Sequence, residues 1–533
     1  MTPKSSIKQT RRRHTAVRTG CYTCKIRRVK CDEVRPACAR CTSTGRKCDG
    51  YPSELEKVRK LGEQGVLQTH FNCQPFTNTD ERMSFEYFRR HTISQLFGYF
   101  DTSSFWGQMI LQICYEEPVV RYAAISLSDL HRSFADSVNH STQWTNQRQR
   151  SALVHYACAI SHMKALLQCR IRSMDAFVVA CILLSSIEIF QGRYEAADVH
   201  LRGAFRVSGM AEGTDRRVYP WNGSDTLSMP HHPMRGVLMR LLFQCDLFTN
   251  GSSAPRAYST LEQCFTAATP DQLTSVSQAR DSLFSQIDMF FQMINRIAVT
   301  EVTTTPEVTP TEVGDRRKTI MTRVQSENML RQMQSEGVFR LERWDRAYQM
   351  FLSQCARGFS SSERQAAMEV ELYRDALRIL LRTEPSKGEL ACDELEHEFH
   401  LLLSKLQSVV DGATPTGPTA DAQPVFTLEM GIVPLLYFIA KDCRNYATRH
   451  AALAMLATSR RREGTWDGTA VYRVAQRCVA IEEAGRLKGE MTARGIPQHH
   501  RVLGVEVQID LLHRKAMLVL HRLGRSQQEE IQW

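Results

Sequence analysis

Six cysteines near the start of the chain constrain it more than any other feature. Cys21, Cys24, Cys31, Cys38, Cys41 and Cys48 are separated by two, six, six, two and six residues, so a C-x2-C-x6-C unit occurs twice in succession. The other eleven of the 17 cysteines are scattered and form no C-x2-C pair, as expected of small buried hydrophobes. A C-x2-C turn brings two thiolates within the roughly 4 Å needed to share one tetrahedral ion at metal–sulfur distances of about 2.3 Å. Two separate tetrahedral ions need eight ligand positions, and six sulfurs fill them only if two of the sulfurs bridge. A disulfide knot and a metal store are the bland alternatives. A reducing compartment disfavours the first, and the long cysteine-poor remainder disfavours the second.

Charge singles out the same region. Residues 1–51 hold fourteen Lys/Arg against three Asp/Glu, a surplus equal to the +11 of the whole 533-residue chain, so the rest is neutral. A basic head on a neutral body points to a polyanion as the partner of the head. Residues 1–20 are basic and polar, without the apolar run or cleavage site of a secretory signal. The longest apolar stretch, residues 176–184, falls far short of the roughly 20 residues that a bilayer span requires. The expectation is a chain with no membrane partner and with its thiols kept reduced.

Between Cys24 and Cys31 lies Lys25-Ile26-Arg27-Arg28-Val29-Lys30. The spacing of Ile26 and Val29 predicts a short helix with both apolar side chains turned to the metal core and the cations turned outward. A solvated surface run is the alternative, and it sits poorly with a run pinned between ligand cysteines.

The segment CYTCKIRRVKCDEVRPACARCTSTGRKC resembles the fungal Zn2Cys6 binuclear cluster, with that family's cysteine spacing throughout. The resemblance implies two Zn2+ per chain, with Cys21 and Cys38 bridging. Cys24 and Cys31 would complete one zinc, and Cys41 and Cys48 the other. Modules of this kind place a helix in the DNA major groove. By resemblance Arg28 reads a CGG-like triplet, and an Arg can donate two hydrogen bonds to guanine. Arg27, Lys25 and Lys30 are expected on phosphates, which position without reading, while Arg18, in the basic arm, would hold phosphates, enter a minor groove or serve as a nuclear import signal. The implied function is a zinc-dependent, sequence-specific DNA-binding transcription factor of the RNA polymerase II type, located in the nucleus. Its partners would be double-stranded DNA and the transcription machinery or co-regulators, and a metabolic or secondary-metabolite gene cluster would be its target.

Family members often dimerise through a coiled coil just past the last cysteine. Residues 51–67 offer Leu55, Val58 and Leu61 and then meet Gly62 and Gly65, about one heptad where three or four are needed. Homodimerisation is left open.

The fold class expected is a small metal-stabilised cluster domain followed by a large all-α regulatory domain. The division reads as a basic arm (1–20), the Zn2Cys6 domain (21–48), a linker (49–82), an all-helical region (83–524) and a tail (525–533). Phe85, Phe88, Ile93, Leu96, Phe97 and Phe100 recur at helical steps, residues 174–190 are apolar nearly all round, and Gly192 punctuates. Thr/Pro-rich residues 300–315 and 412–424 read as loops. Residues 187–205 and 434–467 resemble the helical region found behind fungal clusters. Within the second stretch, Arg460–Arg462 would close a helix, Gly464 would cap it and Trp466 would anchor the exit. No G-x-G-x-x-G, P-loop, G-x-S-x-G or H-E-x-x-H occurs, and His231-His232 and His499-His500 lack ligand partners in sequence, so no enzyme is expected. The helical body would take regulatory input or, on a competing reading, bind a metabolite that gates the head.

Overall fold

The computed structural model describes residues 21–27, 29–34, 36–51, 76–100, 105–138, 142–168, 173–207, 233–248, 272–304, 313–383, 391–413, 424–511 and 513–533. The chain divides into two compact units, Met1–Thr77 and Asn78–Trp533. The first unit carries two short helices, α1 (Tyr22–Ile26) and α2 (Ala39–Thr42). Its buried cluster is Cys21, Cys24, Cys31, Cys38 and Cys41, with Cys48 and Tyr51 packed against it.

The second unit is mostly helical. It begins with α3 (Thr79–Tyr87), capped by the Asn78 side chain and so starting ahead of residue 83. Then come α4 (Ile93–Leu96), α5 (Phe105–Glu116), α6 (Pro118–Val138) and α7 (Thr142–Gln168). The apolar run becomes α8 (Met174–Phe190), in which every residue except Asp175 is buried. Ser173 caps its start by accepting from the Ala176 amide, and its end turns at Gly192, whose φ of +77° suits a residue without Cβ. α9 (Tyr194–Val207), α10 (Pro233–Phe248), α11 (Val276–Thr304), α12 (Val313–Cys355), α13 (Ser361–Arg382) and α14 (Glu396–Ala413) follow. Trp344, Tyr348, Phe399 and Leu436 lie fully inside one core cluster of this unit.

Four sequence expectations are corrected here. The Thr/Pro-rich stretch 300–315 is helical at both ends, since α11 runs to Thr304 and α12 starts at Val313, and residues 305–312 lie outside the described residues. The stretch 412–424 likewise begins inside α14, and residues 414–423 lie outside the described residues.

The third correction concerns residues 460–466. After β1 (Val425–Thr427), α15 (Val433–Asp442) and α16 (Tyr446–Ala457), the chain has already left the helix at Thr458. Arg461–Glu463 form β2, parallel to β1, and Trp466–Asp467 form β3, antiparallel to β2. Gly464 (φ +57°) makes the β2–β3 turn rather than a helix cap, and a Cβ there would meet Gln244 Oε1 at 1.7 Å. The pull that overrides the helical pattern is tertiary: Gly464 N–H donates to Thr427 O (2.7 Å), and Gln244 of α10 bridges Leu428 O and the Thr465 amide.

The fourth correction is the end of the chain. α17 (Gly468–Glu483) is the last α-helix, and residues 502–532 form a sheet of β4 (Val502–Asp510), β5 (Lys515–Arg522) and β6 (Arg525–Gln532). All pairs are antiparallel, with Val507 opposite Leu518 and Leu518 opposite Glu529. Every second residue of β5 (Ala516, Leu518, Leu520) is buried against Ala470, Val474 and Cys478 of α17. That is a period-two pattern with one wet face. Gly524, at φ +72°, turns β5 into β6, so residues 525–533 are a paired strand rather than a tail. No described helix is long and apolar enough to cross a membrane.

Candidate metal centre and nucleic-acid interface

Each half of the head builds its ligands the same way. Cys21 is the N-cap of α1, and its sulfur accepts from the Cys24 amide at 3.4 Å. Cys38 is the N-cap of α2, and its sulfur accepts from the Cys41 amide at 3.3 Å. A sulfur that caps a helix and takes an amide hydrogen bond is stabilised as a thiolate. The third cysteine of each half is held by the amide of the first: Cys21 N–H to Cys31 Sγ and Cys38 N–H to Cys48 Sγ, both 3.5 Å.

The structure brings all six cysteines together. The sulfurs of Cys21, Cys24, Cys31 and Cys38 all lie within 4.8 Å of one another, and so do those of Cys21, Cys38, Cys41 and Cys48. The two quartets share Cys21 and Cys38, whose sulfurs are 3.6 Å apart. Around a tetrahedral zinc with Zn–S of about 2.3 Å, sulfurs are spaced by about 3.8 Å. Cys21 to Cys41 at 3.8 Å and Cys24 to Cys38 at 3.6 Å match that spacing, so the donor set fits zinc. Among the described residues these quartets are the only groups of three or more His, Cys, Asp or Glu side chains placed to hold a metal.

Burial pushes the Cys21, Cys24 and Cys38 thiols above their ordinary value; cysteine neighbours add to it at Cys24 and pull in both directions at Cys21 and Cys38. Cys31 behaves oppositely. Burial pushes it up, but hydrogen bonds from the Cys21 and Glu33 amides and the polar contact with Tyr51 outweigh that and leave it at about 7. The amides of Cys38 and Gly50 lower Cys48 against a smaller rise from burial. Packed thiolates repel one another, so a divalent cation is what lets the whole set deprotonate.

The cationic helix differs from expectation. α1 ends at Ile26, with Arg27 as its C-cap, and Val29 lies beyond it. Ile26 is 81% exposed and Val29 37%, so neither packs on the metal core. The reason is that sulfurs alone fill that core and the helix is too short to present an apolar face. Lys25 and Lys30 are exposed, whereas Arg27 is half-buried and donates through Nη1 to Thr44 Oγ1 at 3.3 Å. Arg28, Arg18 and residues 52–67 lie outside the described residues.

Sequence reasoning missed the residues that join the two halves. Asp32 Oδ2 accepts from the Arg40 amide (2.9 Å), and Asp49 Oδ2 accepts from Thr23 Oγ1 (2.8 Å). Tyr51 Oη donates to Val34 O at 2.7 Å. The signal was present as a Cys-Asp pair at the end of each half, Cys31-Asp32 and Cys48-Asp49.

One constellation in the body invites a catalytic reading. Ser151, His155 and Asp129 are in contact, but Ser151 Oγ (3.4 Å) and Asp129 Oδ2 (3.2 Å) face the same His155 Nδ1. A relay to a serine nucleophile needs the two on opposite ring nitrogens. Ser151 Oγ donates to Asp129 Oδ2 at 2.7 Å, which ties α7 to α6. His499-His500 sit on a 3-10 turn, and His231-His232 lie outside the described residues.

Overlapping cysteine quartets in a small unit, followed in sequence by a large helical unit, define the class of metal-cluster regulators. The chain belongs to the fungal transcription regulators of that class: it matches the fungal specific transcription factor domain over residues 83–417 and the fungal Zn(2)-Cys(6) binuclear cluster domain over residues 19–57. It is 24% identical to the aspercryptin biosynthesis cluster-specific transcription regulator of Emericella nidulans, over 91% of each chain. It is also 42% identical to a Schizosaccharomyces pombe transcriptional regulatory protein over 15% of this chain and 14% of that one. A third relative is sterol uptake control protein 2 of Saccharomyces cerevisiae, 47% identical over 9% of this chain and 5% of that one. These families and relatives are transcription regulators, not enzymes. No solved structure matches the chain.

Proposed function

We propose that the chain is a nuclear, zinc-dependent, sequence-specific DNA-binding regulator that holds two Zn2+ in residues 21–48. The carrying observation is that two cysteine quartets share Cys21 and Cys38, which supports bridging by those two. Cys24 and Cys31 complete one site, and Cys41 and Cys48 the other. Bound zinc neutralises the thiolates and fixes the fold of the head. The chain's own residues do the rest. Lys25, Lys30, Arg27 and Arg18 hold phosphates, with Arg27 the weakest of the four because Thr44 already takes one of its donors. Arg28 reads guanine in a CGG-like site.

The domain division proposed is an arm to residue 20, the cluster, a linker and a regulatory body from Thr79 onward. The body contacts the transcription machinery or co-regulators, and a homodimer on paired half-sites remains compatible with the sequence. The relative named for a biosynthesis cluster supports a metabolic or secondary-metabolite gene cluster as the target. In vitro selection of DNA sites with the full chain, with and without chelator, tests the reading. The expected outcome is a G/C-rich motif recovered only with zinc, and lost for Arg28→Ala while bulk affinity falls less. A chain that retains no zinc, or selects the same sequences with chelator present, would sink it.

A further inference from the structure

The two halves of the head correspond with a constant offset: Cys21, Cys24 and Cys31 match Cys38, Cys41 and Cys48. The same offset matches Asp32 with Asp49, Thr23 with Arg40, Glu33 with Gly50 and Val34 with Tyr51. The hydrogen bonds cross between the halves in a reciprocal way. Asp32, at the end of the first half, accepts through Oδ2 from the amide of Arg40, two residues into the second half (2.9 Å). Asp49, at the end of the second half, accepts through Oδ2 from the hydroxyl of Thr23, two residues into the first (2.8 Å), and its own amide donates back to Thr23 Oγ1 (3.0 Å). Tyr22 N–H donates to Gly50 O at 3.0 Å beside that contact. Tyr51 then reaches from the second half to Val34 O, and its Oη lies 3.8 Å from Cys31 Sγ.

We propose that Asp32 and Asp49 are reciprocal positioning residues, a cross-brace that holds each half of the head onto the first helix of the other, with Tyr51 closing the end. The proposal rests on the zinc reading above and deepens it. Bridging sulfurs alone leave the two halves hinged at Cys21 and Cys38. A tetrahedral pair of ions needs the outer ligands, Cys24 with Cys31 and Cys41 with Cys48, held at fixed angles to that hinge. Each carboxylate supplies the hold, because it follows an outer cysteine directly and is anchored on the opposite helix. Partners outside the ligand shell commonly carry 10–100-fold in metal affinity. These bonds are exposed, so the low end applies.

The test uses the full chain. Asp32→Ala, Asp49→Ala and Thr23→Ala are compared with the parent by zinc competition against a chromophoric chelator, and by the visible spectrum of the cobalt-substituted protein. Expected is a roughly tenfold loss of metal affinity for each Asp→Ala, with zinc stoichiometry kept and the cobalt bands shifted. Thr23→Ala combined with Asp49→Ala should lose no more than Asp49→Ala alone. Asp49→Asn keeps an acceptor oxygen and should recover most of the parental affinity. Parental affinity and spectrum in both Asp→Ala variants would overturn the brace. So would an Asp49→Asn variant as weak as Asp49→Ala, since charge rather than position would then be at work. A parent without zinc would instead overturn the reading on which the brace rests, and the zinc stoichiometry of each variant, expected to stay parental, reports separately whether its head still folds.

Discussion

The head and the body are held together by different physics. The buried cluster of the head is cysteine, with Tyr51 against it and not one Leu, Ile, Val or Phe. The body buries a large apolar core around Trp344, Tyr348, Phe399 and Leu436, together with whole helices such as α8. A unit whose interior is sulfur folds only when something neutralises the sulfur, whereas burial of apolar surface needs no cofactor. On this contrast, the cluster unit of the chain should be conditional on metal and the helical unit should not.

The largest effect that can break this contrast is chelation. Removing zinc from the full chain should unfold residues 21–51, a loss on the order of 10 kcal/mol of apparent folding free energy for that unit. Hydrogen exchange should show its amides unprotected while α8 and α13 stay protected. Equal loss of protection in both units would refute the division.

The next largest effect should fall on the body alone. Arg449 and Arg444 are almost wholly buried and converge on Glu482, with Arg449 Nη2 at 2.7 Å and Arg444 Nη2 at 3.2 Å from its carboxylate. Glu483 accepts from Arg449 Nη1 at 3.0 Å, and Asp393 pairs with Arg444 and with Arg501. Truncating one member of a buried ionic group leaves its partner charge uncompensated, so Arg449→Ala should cost about 3–5 kcal/mol in chemical denaturation of the body. Zinc affinity should not move. A parallel loss of zinc affinity would mean that the two units are energetically coupled.

A third prediction sharpens the contrast through pH. Burial pushes the Glu369 carboxyl up to about 8; Arg461 pulls it down, and Glu463 and Glu429 push it further up. The folded body therefore keeps a proton that the unfolded chain has lost. This contribution is complete below about pH 4, where both forms are protonated, and it drains away as pH rises toward 8. Glu369→Gln keeps the neutral shape and should remove that slope. Relative to the variant, the parent should lose on the order of 3 kcal/mol between pH 4.5 and 8. Parallel stability curves for the two proteins over that window would show Glu369 to be an ordinary surface-like carboxylate.

The head was legible in its cysteines because metal geometry fixes sulfur spacing almost without reference to the rest of the chain. It was not legible in Ile26 and Val29: three-residue spacing assigns a face only where a helix and an apolar neighbour exist, and here α1 ends at Ile26. The buried run that became α8 could be read because it is apolar on every side. Residues 502–532 could not be read so easily. Val505, Val507 and Ile509 alternate with Glu506 and Gln508, but β6 carries Gln527, Gln528, Glu529 and Glu530, which look like a solvated tail until β5 pairs with them. The strand at Arg461–Glu463 was hidden for a similar reason, since its partner β1 lies more than thirty residues earlier.

The smallest predicted effect compares the halves of the head with each other. Glu33 and Gly50 occupy matching places, and both take left-handed φ, +61° and +76°. Each lies two residues past an outer cysteine whose sulfur its amide supports. Glycine adopts that conformation without penalty, whereas a residue with Cβ is strained by roughly 1–2 kcal/mol. A Cβ at Gly50 would meet nothing within 4 Å, so Gly50→Ala should cost only that backbone strain, about 1 kcal/mol of the zinc-loaded head. Glu33→Gly should act in the opposite direction and by less, because glycine also loosens the unfolded chain. Thermal unfolding of the head, followed by zinc release at fixed free zinc, reads both. Two substitutions of the same sign would mean that the halves do not share one backbone solution, and that their matching cysteine spacing is the only symmetry the head has.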